Sequence, residues 1–339
     1  MSISGLAHHC PGECWSSADV LRRRCEAAHD TGAWVSIEVQ DQQAVIAGVE
    51  LGGTKCVCAL ADPAGRILDQ VSIPTSSPGP TIDAILSQLD QWWRQRRFSS
   101  LGIASFGPLE LDPQVTGYGS ITTTTKPGWP GTAVAGPLAA RFDVPVAFDT
   151  DVNGAALAEG RWGAARGLDD YAYITVGTGV GVGLIVNGAP TRGLGHCELG
   201  HMVVARRAGD DWPGVCTFHD GCVEGLASGT AINARLGAAR AESAGLDHPV
   251  WDGVVDALAH LAHVLVLAAG PRRIIVGGGV GSGQPHLLPR IEARLREILG
   301  GYVPVPAPDA ARPYVCSPDL GTSAGPLGPI ALALTAASA

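Results

Sequence analysis

The sequence predicts an α/β protein built from a repeated unit. Three observations carry this. A strand–turn–strand pattern at 44–61 returns at 171–186, both times around a glycine-rich turn. Stretches of strand character then alternate with helical ones, the pattern of layered α/β folds. A length of 339 residues also exceeds the usual reach of one hydrophobic core, so two domains sharing a cleft are expected. With 46 % hydrophobic and only 16 % charged residues, the chain can fill such cores.

Taken in order, 44–51, 56–61 and 66–73 read as three successive strands, separated by the turn signals Gly-Gly-Thr-Lys and Asp-Pro-Ala-Gly. Cys56 and Cys58 alternate on one side of the second strand and read as core residues. An amphipathic helix is expected over 81–97, a buried strand over 101–106 ending at Gly107-Pro108, and a short strand over 145–148 ending at Asp149-Thr-Asp151. An alanine-rich helix over 153–162 precedes the second cycle, in which strands at 171–176 and 181–186 flank a glycine turn. The apolar strand 273–276 leads into Gly277-Gly278-Gly279-Val280 and a helix.

The first residues differ. Before position 44 the chain carries His8, His9, Cys10, Cys14 and the basic run Arg22-Arg23-Arg24, without strand alternation before Trp34. A poorly ordered extension, or a start codon assigned too early, is expected there, and the spacing is poor for a second metal site.

A net charge of −9 disfavours a general role on DNA or an anionic membrane, though a phosphate pocket can still be locally positive. No apolar run reaches the roughly 18–20 residues of a membrane span, and the N-terminus lacks the pattern of a secretory signal. Nine cysteines without a disulfide framework point to a reduced, cytoplasmic setting. Small molecules are the expected partners.

One short region concentrates metal-ligand chemistry. His201, Cys216, His219 and Cys222 fall within 22 positions, spaced His-x14-Cys-x2-His-x2-Cys, with Glu198 and Glu224 on either side. Two thiolates and two imidazoles fill a zinc tetrahedron, which makes the site structural, since a catalytic zinc keeps a place for water. Gly, Pro and acids occupy the loop where base-reading residues would sit, so a DNA-binding finger is excluded. The competing reading is a set of buried cysteines beside a surface histidine.

Two glycine turns suit phosphate. Gly48-x-Glu50-x-Gly52-Gly53-Thr54-Lys55 and Gly177-Thr178-Gly179-x-Gly181-x-Gly183 let backbone N–H groups approach phosphate oxygens unobstructed by Cβ atoms. Gly278 and Gly279 suit the edge of a nucleotide pocket. Neither the P-loop spacing nor the dinucleotide fingerprint is present, and any one glycine turn alone is a weak signal.

Together these segments resemble the ROK group (repressor, open reading frame, kinase) of sugar kinases within the actin-like ATPase superfamily, and specifically its bacterial fructokinase branch. The resemblance runs from about residue 45 to 336. It rests on Gly48-Val-Glu-Leu-Gly-Gly-Thr-Lys55, Ala104-Ser-Phe-Gly-Pro108, Tyr118-Gly-Ser-Ile-Thr122 with Lys126-Pro-Gly-Trp129, Thr150-Asp-Val-Asn153, Ile174-Thr-Val-Gly-Thr-Gly-Val-Gly181, Glu198-Leu-Gly-His201 and Gly221-Cys-Val-Glu-Gly-Leu-Ala-Ser-Gly229. Glu50, His219 and the Tyr118–Trp129 loop resemble the fructokinase version more than the glucokinase one.

The resemblance implies an ATP-dependent hexose kinase that phosphorylates the 6-hydroxyl of fructose, with mannose or glucose as the alternative substrates. It implies Asp151 as general base, with helix capping as the competing role. It places Asn153, Glu198, His201 and Glu224 around the sugar, with His201 holding zinc through one ring nitrogen and facing the sugar with the other. Glu198 and Glu224 alternatively orient the zinc ligands. Gly52, Gly53, Thr54 and Lys55 form the first phosphate loop, Thr178 and Gly179 the second, and Gly278 and Gly279 border the adenosine. Magnesium arrives with ATP, and Glu50 either holds it through water or pairs with Lys55.

The implied architecture is two α/β lobes, 45–152 and 153–320, hinged around the cleft. The zinc knuckle spans 201–222, a terminal helix near 322–336 within 321–339 packs on the first lobe, and 1–44 is the extension. A homodimer that binds ATP and a hexose is expected. The family also includes sugar-responsive repressors, which carry a helix-turn-helix ahead of the kinase-like region. The residues before position 44 show no pair of apolar helices, so catalysis is the favoured reading.

Overall fold

The computed structural model describes residues 44–237, 244–307 and 312–336. The expectations for 1–43 therefore lie outside the described residues. The chain begins with β1 (Ile46–Leu51), β2 (Lys55–Ala61) and β3 (Ile67–Pro74), then α1 (Pro78–Gln95), β4 (Ser100–Ser105), α2 (Ala135–Ala139) and β5 (Val146–Thr150). These strands form a sheet in the order β3-β2-β1-β4-β5, antiparallel over β1–β3 and parallel from β1 through β4 to β5.

Helix α3 (Asp151–Trp162) leads into β6 (Tyr171–Val176), β7 (Val180–Val186) and β8 (Ala189–Pro190). Helices α4 (Val223–Ala227), α5 (Gly229–Leu236) and α6 (Val250–Ala269) precede β9 (Ile274–Gly277). Then come α7 (Gly278–Gly283), α8 (Leu287–Leu299), β10 (Val315–Cys316) and α9 (Ala324–Ala336). The second sheet runs β10-β9-β6-β7-β8. It repeats the first, with an antiparallel meander on one side and parallel strands on the other. The repeated unit read from the sequence is thus a repeated sheet topology.

Alternation along β1 explains the layering. Val45, Ala47, Val49 and Leu51 face a core with Trp92 of α1, Phe98, Phe142 and Leu138 of α2, while Ile46 faces Ile330 and Ala333 of α9. Helix α3 lays Val152, Ala155 and Ala156 against Tyr171, Tyr173 and Ile185 of the second sheet. Ala158 of α3 meets Leu327 and Ala331 of α9. The two sheets are therefore separated by the pair α3 and α9. These helices come close because glycines face each other: a Cβ on Gly328 would stand 2.8 Å from the Gly154 carbonyl carbon. The outer face of the second sheet is covered by α4, α5, α6 and α8, with Trp251 fully buried among them.

Two boundaries moved for local reasons. Helix α1 begins at Pro78, where proline suits the first turn because its missing N–H would be unpaired there anyway. Helix α3 begins at Asp151 because the Thr150 side chain caps it, accepting from Asn153 N at 3.1 Å. Among the described residues one helix, α6, is long and apolar enough by length and composition to cross a membrane, with a mean hydropathy of 1.5. It also carries Asp252 and Asp256, paired with Arg207, Arg290 and Arg294, and lies in the second core. All six described cysteines are unbridged, and Cys56 and Cys58 are buried as expected.

Candidate active site

The parallel strands of both sheets deliver their C-terminal ends to one cleft of about 640 Å³. From the first sheet come the β1–β2 turn with Gly53 and Thr54, and Asp151 after β5; from the second come Gly177, Thr178 and Gly179 of the β6–β7 turn. Glu198, His201, Cys216 and Glu224 close the other wall.

Asp149 and Asp151 part company here. Asp149 is 1 % exposed and saturated: Oδ1 accepts from Thr150 N at 2.7 Å and Asn153 Nδ2 at 2.9 Å, and Oδ2 from Arg192 Nη2 at 2.7 Å. It is a buried counter-ion more than a turn cap. Asp151 is half-buried at the cleft, where its Oδ1 accepts from Val152 N at 2.8 Å. Burial pushes its carboxyl up to about 6. Capping falls to Thr150, so Asp151 is not needed for it.

Two more acids share this environment. Burial, helped by the charge of Asp151 and opposed by Lys55, raises Glu50 to about 7. Its carboxyl abuts Gly325 at the start of α9. Glu198 opens onto the cleft, yet desolvation by the walls, with Glu224 and Asp151 nearby, raises it to about 7. Such a crowd of acids suits a ligand that brings positive charge, because an opposite charge restores the ionised forms.

The predicted metal ligands do converge. The ligand atoms of His201, Cys216, His219 and Cys222 all lie within 4.8 Å of one another. Cys216 Sγ is 3.6 Å from His201 Nδ1 and 3.7 Å from His219 Nδ1, and Cys222 Sγ is 3.9 Å from His201 Nδ1. Zinc bonds of about 2.3 Å to sulfur and about 2.0 Å to nitrogen give tetrahedron edges of roughly 3.3–3.8 Å, close to these S···N separations, so the donor set is compatible with zinc. His201 stands on a 3₁₀ turn, Leu199–His201, and Cys222 caps α4, its Sγ accepting from Gly225 N at 3.3 Å.

His201 turns its other nitrogen toward Glu224, with Nε2 and Oε1 3.9 Å apart. The second Glu224 oxygen accepts from Val180 N at 3.0 Å. Gly179 leaves room for it, because a Cβ there would push the Glu224 carboxylate from its place. Glu224 therefore spans from a candidate metal ligand to the second glycine turn.

Not every predicted residue reaches the cleft wall. Asn153 is 2 % exposed and donates to Asp149, so it is spent on that buried carboxylate. Gly52 donates its N–H to Lys55 O at 3.1 Å within the first turn, and Lys55 starts β2 outside the lining. Thr178 O accepts from Thr230 Oγ1 at 2.8 Å. Gly278 and Gly279 open α7 beside the end of β6, behind the second turn. Two residues were missed, and Lys126 was named only within the Lys126-Pro-Gly-Trp129 segment, without a role. Lys126 Nζ donates to Gly53 O at 2.8 Å, Arg192 pairs with Asp149, and His196 lines the cleft while Leu109 N donates to its Nε2 at 2.9 Å. A charged or titratable residue beside a motif was the only signal in the sequence.

The sequence is similar to known proteins along nearly its whole described length. It is 39 % identical over 292 residues to a fructokinase from Pediococcus pentosaceus, covering 86 % of this chain and 98 % of the relative. It is 41 % identical over 294 residues to a fructokinase from Zymomonas mobilis subsp. mobilis, covering 85 % and 96 %. The structure matches a ROK family glucokinase from Streptomyces griseus in complex with glucose and AMPPNP at a TM-score of 0.68, with 25 % identity, covering 86 % of this chain and all of that one. The fold is accordingly the two-lobed actin-like ATPase fold. A family model described as the ROK family matches residues 46–336, and with relatives matched almost end to end, the chain belongs to the ROK family.

Proposed function

We propose that the chain is an ATP-dependent fructokinase, transferring the γ-phosphoryl of Mg-ATP to the 6-hydroxyl of D-fructose. The observation that carries this reading is the near end-to-end similarity to fructokinases of two organisms. Asp151, at the meeting point of the two glycine turns, supports it. Phosphoryl transfer is governed by positioning and charge, with a base that takes the hydroxyl proton. Asp151 is that base. Gly53 and Thr54 receive phosphate oxygens from one side and Thr178 and Gly179 from the other, with Gly52 and Lys55 shaping the first turn and Gly278 and Gly279 flanking the adenosine. Glu198, His201 and Glu224 read the sugar hydroxyls, and Asn153 acts through Asp149.

His201, Cys216, His219 and Cys222 hold a structural zinc, which braces the wall that carries Glu224. Magnesium enters with the nucleotide. We further propose that the enzyme works in the cytoplasm as a homodimer.

The test is a coupled ADP-release assay of purified protein with Mg-ATP against fructose, mannose, glucose and glucosamine. Fructose is expected to give the highest kcat/KM, and Asp151→Asn to lose roughly 10²–10⁴-fold in rate while remaining folded. A leading rate with another hexose would reject fructose and keep the kinase; an Asn variant as active as wild type would reject Asp151 as base.

A further inference from the structure

His196 is the least explained polar group of the cleft. It stands between β8 and the 3₁₀ turn of His201, and its side chain is only 4 % exposed although it lines the cleft. Its Nε2 accepts the Leu109 N–H at 2.9 Å, across 87 positions of sequence. An N–H bond can be accepted only by an unprotonated ring nitrogen, so the proton of the neutral ring sits on Nδ1. Burial lowers the pKa of this imidazole, which favours the neutral form.

Leu109 is itself anchored. Leu109 pairs with Ile121 in an antiparallel bridge, and Thr122 N donates to Pro108 O at 2.8 Å. The ring carbon Cε1 packs 3.4 Å from where a Gly107 Cβ would stand. The other face of the ring meets the acid wall: Nδ1 lies 3.4 Å from Glu198 Oε1, buried, and without an aligned hydrogen-bond partner among the described residues. A buried donor left unaligned is costly, and an apolar ring could fill the same space without that cost.

We propose that His196 is a positioning residue for the sugar, clamped to the 107–122 loop by the Leu109 N–H and using its Nδ1–H to orient Glu198 toward the substrate hydroxyls. The inference rests on the sugar-kinase reading and deepens it. A small rotation of the Glu198 carboxylate completes the Nδ1–H bond and leaves its second oxygen for the sugar. The same ring ties two loops on opposite sides of the cleft, so sugar affinity and the seating of these loops rise together.

Three variants separate the parts. His196→Ala removes both contacts; His196→Asn keeps a donor where Nδ1 stands; His196→Gln keeps an acceptor for Leu109 N–H. Fructose KM and calorimetric Kd are expected to rise about tenfold in the Ala variant, as for loss of one buried hydrogen bond, with ATP KM changed less than about twofold. The Asn variant is expected to recover most of the fructose affinity. The Gln variant is expected to keep the wild-type Tm but not the affinity. Glu198→Gln added to His196→Ala is expected to cost less than the sum of the two, since one acts through the other.

Unchanged fructose affinity in His196→Ala, a parallel rise of fructose and ATP KM with a lowered Tm, or strict additivity with Glu198→Gln each overturns the proposal. Wild-type protein that binds no hexose overturns the kinase reading and this inference together; active wild type with an indifferent Ala variant overturns the inference alone.

Discussion

Asp151 and Glu50 hold their protons more tightly in the folded chain than an exposed carboxyl does, and this sets opposite pH trends for activity and stability. As the proposed base Asp151 must be ionised, and burial raises its carboxyl to about 6. The kcat/KM of the free enzyme is therefore expected to fall about tenfold per pH unit below that value. Stability goes the other way. With folded values of about 6 for Asp151 and about 7 for Glu50, against about 3.9 and 4.3 in an unfolded chain, the native state binds more protons than the unfolded one between pH 4 and 7. Unfolding free energy at these sites thus declines as pH rises through that window. Ligand-free protein is expected to show a higher Tm at pH 6 than at pH 8, measured by calorimetry; a Tm that rises with pH would sink the argument. The sequence pointed to Asp151 through the resemblance of Thr150-Asp-Val-Asn153 to the family's motif, with its place after a strand and near the start of a helix in support. It could not show that Asn153 is occupied by Asp149, or that His196 meets Leu109, since these depend on which distant loops the fold brings together.

At the scale of elements, the metal knuckle is the segment whose sequence spacing said most and whose consequence reaches furthest. Its four ligands were legible because two are separated by only two residues from a third, so little chain has to be ordered to bring them together. What the spacing did not reveal is the sequel: Cys222 caps α4, α4 carries Glu224, and Glu224 accepts from Val180 N beside the second glycine turn. On the proposed reading, zinc removal is therefore expected to loosen the second glycine turn as well as the knuckle. Purified protein should contain about one zinc per chain, and Cys222→Ser should lose most of it. The variant should also show a lower Tm and a raised ATP KM. Zinc content by mass spectrometry, with ATP KM alongside, checks this; full zinc with an unaltered KM in the variant would show that the four residues do not form the site. Eight of the strands were legible as apolar runs or alternating segments bounded by turn signals, while the two-residue β8 and β10 were not read, and the helix starts were missed because Thr150 and Pro78 set them through capping and a fixed backbone angle.

The two sheets are joined by the α3–α9 pair, which belongs to both cores: α3 packs on the second sheet, α9 on the first, and each on the other. A wedge between these helices acts on both lobes at once. Glu159, fully buried near the end of α3, strengthens the joint by accepting from Leu320 N at 3.0 Å and Asp319 N at 3.2 Å, just before α9 begins. Gly328 is the place to drive the wedge, since a Cβ there would stand 2.8 Å from the Gly154 carbonyl carbon and 2.9 Å from Ala155 N, both backbone atoms of α3. Neither helix can yield without shifting its sheet. Gly328→Ala offsets this with the better helix propensity of alanine, about 1 kcal/mol. Overpacking costs about 1–3 kcal/mol, so the net effect is a loss of up to about 2 kcal/mol. In a chain of this size that lowers Tm by up to about 3 °C. Because both lobes depend on the same joint, calorimetry is expected to show one transition in wild type and one, displaced as a whole, in the variant. Two separated transitions, with only one moved by the substitution, would mean that the lobes unfold independently and that the helix pair is a contact and not a shared core.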